Sequence, residues 1–117
     1  IMIRRSGEYR TEQREEMRGG KGSVKLEEFW APKTEMRSKN RMFSRLTLNP
    51  GCSIGFHPHD AEDEIFVVVR GRAEADDNGD IVELGPGDTI LTGNGDGHAI
   101  RCVGDEPLEL IAVISTY

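Results

Sequence analysis

Several common scaffolds are excluded by what the sequence has little of. Only two cysteines, Cys52 and Cys102, occur in 117 residues, and no CxxC pair is present. A disulfide framework is therefore excluded, and a reduced, cytoplasmic setting is the expectation. No apolar run approaches the roughly 18 residues of a membrane-spanning helix. Basic residues are outnumbered, 15 Lys and Arg against 21 Asp and Glu, for a net charge of −6. That balance excludes a general nucleic-acid or acidic-membrane binder. The opening Ile1-Met2-Ile3-Arg4-Arg5 runs into polar sequence with no apolar core of a secretory leader, so none is expected. Gly19-Gly20-Lys21-Gly22-Ser23 has neither the GxxxxGK[ST] spacing nor the preceding strand of a phosphate loop. No internal repeat is visible.

What is present is a short chain dense in strand and turn signals. A domain of this length hides only about two-thirds of the surface its unfolded chain exposes, which favours a closed barrel or an oligomer. Residues 1–23 are polar and read as an N-terminal extension; Thr11–Arg18 is expected to form a short helical turn capped by Thr11, lying on the surface or on a partner subunit. Residues 24–117 read as one all-β domain. Strands are expected over 24–30, 41–48, 52–57, 64–69, 81–84, 89–91, 98–103 and 108–116. Asn49-Pro50-Gly51, Asn78-Gly79 and Gly85-Pro86-Gly87-Asp88 are turns between them. Ile65–Val69 and Leu110–Ile114 are apolar on both faces, whereas a strand of an isolated barrel should alternate. A second copy of the chain is expected to cover them, making a homodimer.

All three histidines fall in one pattern. His57 and His59 are two apart, so on an extended chain their imidazoles share a face. Glu64 opens an apolar strand with the parity of Phe66 and Val68, which places it toward the interior, where a carboxylate needs a cation or donors. His98 follows Gly93-Asn94-Gly95-Asp96-Gly97, whose glycines permit a tight bend. A lone histidine is usually a satisfied core or surface residue, but three histidines and an inward carboxylate in one spacing pattern point to a metal site. Asp60, Glu62 and Asp63 read as a solvated acidic loop, with Asp63 the alternative ligand.

The spacing Gly51-x5-His57-x-His59-x4-Glu64-x6-Gly71 resembles the first motif of the cupin superfamily at every fixed position. Gly87-x5-Gly93-x-Gly95-x2-His98-x3-Cys102 resembles the second, with Gly93 where proline is usual and Cys102 where asparagine is usual. The resemblance covers about residues 40–116. It implies a double-stranded β-helix, or jelly-roll barrel, with His57, His59, Glu64 and His98 as ligands to one divalent transition metal. In small members of that superfamily, N-terminal segments often lend a strand to a partner subunit, which suits the expected dimer.

Three neutral imidazoles and one carboxylate around a divalent ion leave a net charge of about +1, which should attract a small anion. The mixed nitrogen and oxygen set suits manganese, and also iron, nickel, cobalt or zinc. Arg45 is expected to contact a bound carboxylate, because its strand leads into the ligand loop; Arg41 is second and Arg101 third. With every histidine committed to metal, none remains as a general base. Cys52 and Cys102 read as structural thiols. Two functions stay open. Resemblance to small cupins described as oxalate decarboxylases implies a manganese-dependent lyase or, within the same superfamily, a dioxygenase or isomerase. The other is a binding module for a small carboxylate or sugar acid.

Overall fold

A computed structural model describes residues 2–117; Ile1 lies outside the described residues. Ten strands run in chain order: β1 (Arg10–Glu15), β2 (Ser23–Glu28), β3 (Asn40–Leu48), β4 (Ser53–Pro58), β5 (Glu62–Arg70), β6 (Ala73–Asp77), β7 (Asp80–Leu84), β8 (Thr89–Thr92), β9 (Gly97–Cys102) and β10 (Leu108–Thr116). One 3-10 turn, Met17–Gly19, is the only helical element among the described residues. The strands form two antiparallel sheets, one ordered β1-β2-β3-β10-β5-β8 and the other β4-β9-β6-β7. Their facing sides hold the core, with Leu46, Leu48, Phe66, Val68, Leu108 and Leu110 from the first sheet and Ile54, Ala73, Ala75 and Ile100 from the second. This is the expected all-β jelly roll.

The expected strands are present, with bounds shifted by a residue or two, and two more join them. β6 escapes the sequence because Ala-Glu-Ala-Asp-Asp is poor in β-branched residues, yet Ala73 and Ala75 alternate inward and are fully buried. β1 replaces the expected helical turn at Thr11–Arg18. A segment with no apolar stripe has nothing to bury as a helix, whereas β2 offers a free edge that takes it from Arg10 opposite Glu28 to Glu15 opposite Ser23. The β6–β7 hairpin turns at Asn78 and Gly79, with φ of 50° and 103°, the doubly left-handed turn that Asn-Gly favours.

Two β-bulges break the alternation where it matters. In β4, Ile54 faces Ile100 and His57 faces His98, so Gly55 and Phe56 together oppose Ala99. In β3, Met42 faces Ile114 and Asn40 faces Ser115, which leaves Arg41 as the extra residue.

Candidate metal centre

The bulge in β4 sets up the site. Strict alternation from buried Ile54 would send Phe56 inward and His57 outward. The extra residue reverses this: Phe56 is 53% exposed, its ring folded over Gly97, while His57 and His59 are buried. Across the sheet, His98 on β9 lies directly opposite His57, so the two rings share a face with centroids 4.7 Å apart. Glu64 enters from β5, buried beside Phe66 and Val68 as its parity requires. The loop that precedes β9 pins His59 from behind, since His59 N–H donates to the Asp96 carbonyl and Gly95 N–H donates to the His59 carbonyl. Asn94 and Gly95, with φ of 55° and 83°, make that approach possible.

The four side chains converge through one atom each. His59 Nε2 lies 3.1 Å from His98 Nε2, and His98 Nε2 lies 3.2 Å from His57 Nε2. Glu64 Oε1 is 2.8 Å from His59 Nε2, 2.9 Å from His98 Nε2 and 3.9 Å from His57 Nε2. Two ligands about 2.1 Å from a common ion and at right angles stand about 3 Å apart, so the close spacings are those of neighbours around one cation.

The outward nitrogens explain why the inner ones are free. His57 Nδ1 donates to the Gly55 carbonyl at 2.8 Å, and His59 Nδ1 donates to Glu62 Oε2 at 2.6 Å. A carbonyl and a carboxylate can only accept, so both protons sit on Nδ1 and both Nε2 lone pairs point inward. His98 Nδ1 meets the Thr92 hydroxyl at 2.9 Å; Thr92 lies opposite Glu64 across β5 and β8 and is itself buried. Phe66 stacks flat on His98, 4.8 Å between centroids and 7° between planes. Burial lowers the His98 pKa below the ordinary histidine value, outweighing the pull of Glu64 in the other direction. Burial pushes the Glu64 carboxyl up, but the surrounding imidazoles outweigh it and hold its pKa at about 2. Three imidazole lone pairs and a carboxylate thus face one another in a buried space. A shared divalent cation turns that repulsive arrangement into an attractive one, and the residues fit such an ion: His57, His59, Glu64 and His98 could hold it.

Glu62 is the residue that reading by pattern misses. Expected in a solvated loop, it accepts from His59 and also from Arg41, through Nε and Nη2 at 2.7 Å each. These bonds, the Arg41 one foremost, hold its carboxyl below the usual carboxylate range. Asp63 points the other way; a Cβ built on Gly93 would collide with its carboxylate, so Gly93 makes room for it.

The cluster opens on a cavity of about 40 Å³, lined also by Met17, Met42, Ile114 and the arginines Arg14, Arg18 and Arg41. That volume exceeds the about 10–15 Å³ needed to admit a single water, so a small polar ligand can enter the space. Arg41 reaches it because the β3 bulge frees it from strand parity. Arg45 does not line it. Across from β2, its guanidinium pairs with Glu27 at 3.1 Å and lies 5.9 Å from both the Tyr9 and Phe29 ring centres. Arg101, the third expected contact, pairs with Glu74 at 3.0 Å on the surface. Both cysteines are unpaired, and buried Cys102 donates to the Glu106 carbonyl at 3.2 Å.

Comparison with known proteins agrees with this geometry. The family model for the cupin domain matches residues 44–114. An oxalate-binding protein from Thermotoga maritima is 40% identical over 113 residues, covering 97% of this chain and 93% of that protein. The crystal structure of a predicted oxalate decarboxylase from the same organism superposes with a TM-score of 0.94 at 38% identity, over 99% of this chain and all of that one. The cupin domain of Schizosaccharomyces pombe Cnp3 shares the fold alone, at 12% identity and a TM-score of 0.73 over 91% of this chain and 69% of that one. By its fold, by its sequence and by the arrangement of its buried histidines and glutamate, the chain belongs to the cupin family.

Proposed function

We propose that this protein binds oxalate, or a carboxylate of similar size, through one divalent transition metal held by His57, His59, Glu64 and His98, with manganese the preferred ion. The observation that carries this reading is the buried cluster of three imidazoles and one carboxylate opening on a small arginine-lined cavity. The cluster contributes a single negative charge, so with a divalent ion the centre is cationic and draws an anion. When bound, the ion supplies Lewis-acid attraction for carboxylate oxygens. Arg41 lines the cavity; Glu62 holds its Nε and Nη2, and its Nη1 is the nitrogen that would meet a carboxylate oxygen. Arg45 is assigned no part in this, since it does not line the cavity.

Binding without turnover fits better than decarboxylation. Cleaving oxalate requires a group that delivers a proton at the substrate, and among the described residues the only carboxylate lining the cavity is Glu64, committed to the metal in this reading. Protein loaded with Mn²⁺ and incubated with oxalate under air should bind it by calorimetry while releasing neither carbon dioxide nor formate. Product formation at a steady rate would reassign the protein as a decarboxylase, and absence of binding would remove the oxalate reading.

The outer face of the larger sheet supports a homodimer. Ile65 lies opposite both Leu91 and Val113, and Val67 lies opposite Ile111, giving a continuous apolar patch on which Leu91 is 64% exposed. A second copy would cover it. Light scattering should give twice the chain mass, and Leu91→Arg should give the monomer. The free cysteines accord with a reducing cytoplasm.

A further inference from the structure

We propose that the N-terminal strand and turn supply the selectivity of the site: Arg14 and Arg18, with Arg41, form a guanidinium rim that reads the second carboxylate of a short dianion. This rests on the metal-bound carboxylate proposed above and assigns what holds its far end.

Arg14 lies opposite the fully buried Val24, on the face of β1 that borders the cavity, and its side chain is 45% exposed at the cavity's outer rim. Its present partner is the exposed Glu12, at 2.6 Å. Arg18 sits in the turn after β1 and makes no ion pair among the described residues. Its backbone is left-handed, φ 54° and ψ 31°, and Glu16 two residues earlier is left-handed as well, at φ 48°. Neither is glycine, and such conformations persist only where the surroundings impose them.

The surroundings do so. The Ser53 N–H donates to the Lys21 carbonyl and the Lys21 N–H to Ser53 Oγ, both at 2.8 Å. A Cβ on Gly20 would collide with the Ser53 carbonyl, and one on Gly55 with the Arg18 carbonyl. Two glycines thus let the turn lie backbone-on-backbone against β4, at the same bulge that turns His57 inward. The strained turn is locked to the strand carrying the cluster, with Arg18 and Met17 lining the cavity.

Charge and size then define the ligand. Among the described residues three guanidiniums line the space and the one carboxylate lining it belongs to the cluster; Arg14 and Arg41 share carboxylates that lie outside it, and Arg18 shares none, so the rim offers charge beyond what a monocarboxylate already neutralised at the ion would need. A dianion uses both ends. A cavity of about 40 Å³ favours a short dicarboxylate over a longer one.

The test measures metal content by mass spectrometry, and separately the affinity of Mn²⁺-loaded protein for oxalate, malonate, succinate, formate and inorganic phosphate. In Arg14→Gln/Arg18→Gln, metal content should stay at the wild-type level while oxalate affinity drops by about tenfold or more. Formate affinity should change less than about threefold. Gly20→Ala, which displaces the turn without touching a guanidinium, should weaken oxalate in the same sense. Oxalate bound by the double variant within twofold of wild type overturns the rim and leaves the oxalate reading standing. If wild type ignores oxalate but binds another of these anions, equal weakening in the variants sustains the rim and removes oxalate, while unchanged binding overturns both. Absence of any anion binding also overturns both.

Discussion

Glutamine at position 62 separates the role of Glu62 behind the proposed metal ligands from its place in the fold. The Glu62 carboxylate accepts from His59 Nδ1 at 2.6 Å and from two Arg41 nitrogens at 2.7 Å each. Glu62→Gln keeps the shape and removes the charge. Its amide oxygen can still accept from one neighbour, but its NH₂ then meets a donor on the other side. The proton on His59 Nδ1 loses its charged acceptor, and with it goes part of the force that fixes the ring and keeps Nε2 directed inward. Losses of outer partners of this kind lower metal affinity by about 10–100-fold, or about 1.4–2.8 kcal/mol. The assay is competition for Mn²⁺ or Zn²⁺ against a chelator of known affinity at pH 7.5, with circular dichroism to confirm the fold. Arg41→Ala is the companion variant. It leaves Glu62 on His59, so its effect on metal affinity should be smaller than that of Glu62→Gln, although it should weaken anion binding. Metal affinity of Glu62→Gln within twofold of wild type would refute the reasoning, as would a larger loss in Arg41→Ala.

His59→Ala and His98→Ala should each lower metal content at least about tenfold, because each removes a ligand; full occupancy in either variant would sink the site. With metal removed, thermal stability should fall with acid in two stages. Burial holds His98 below the ordinary value of 6.5, so near that pH the unfolded chain takes up a proton that the folded chain refuses, and stability drops as pH falls. Glu64, held at about 2 against an ordinary 4.5, stays charged in the folded chain while its unfolded counterpart protonates, giving a further loss between those values. A melting temperature flat from pH 8 to 3 in chelator would contradict both. Phe66→Ala should cost about 3–5 kcal/mol in urea unfolding, since Phe66 is fully buried and stacked on His98; a cost under about 1 kcal/mol would show that the ring is not part of the packed core.

The parts of the fold that follow from local chemistry were legible in the chain. Val24, Leu46, Leu48, Phe66 and Val68 bury themselves as their strand periodicity demands, and Asn78-Gly79 turns as its dihedral freedom allows. The four converging residues were legible because spacing put His57 and His59 on one face, parity turned Glu64 inward, and the resemblance to the second cupin motif brought in His98. What escaped depends on partners distant in sequence. β1 has no apolar face of its own and becomes a strand only because β2 presents an edge. Glu62 looks like any acidic loop residue until Arg41, twenty-one positions earlier, is seen to hold it against His59. Arg41 and Arg45 have the same parity in the sequence, and only the extra residue in β3 sends one to the cavity and leaves the other with Glu27.

The extra residue in β4 gives that strand two incompatible demands and satisfies both. Upstream of Gly55 it is in phase with hydrocarbon, through Ile54; downstream it is in phase with the imidazole cluster, through His57 and His59. Core and cluster can therefore be occupied from a single strand without a histidine displacing a core side chain. The arrangement is also brittle in one direction. Pairing the strand in strict alternation through Phe56, at unchanged length, would keep Ile54 inward and turn both imidazoles to solvent, whereas deleting Phe56 would restore the pleat with His57 still opposite His98. The chemistry of the strand therefore hangs on a two-against-one pairing: losing the bulge by a slip in register would erase it, and losing it by removing the extra residue would not.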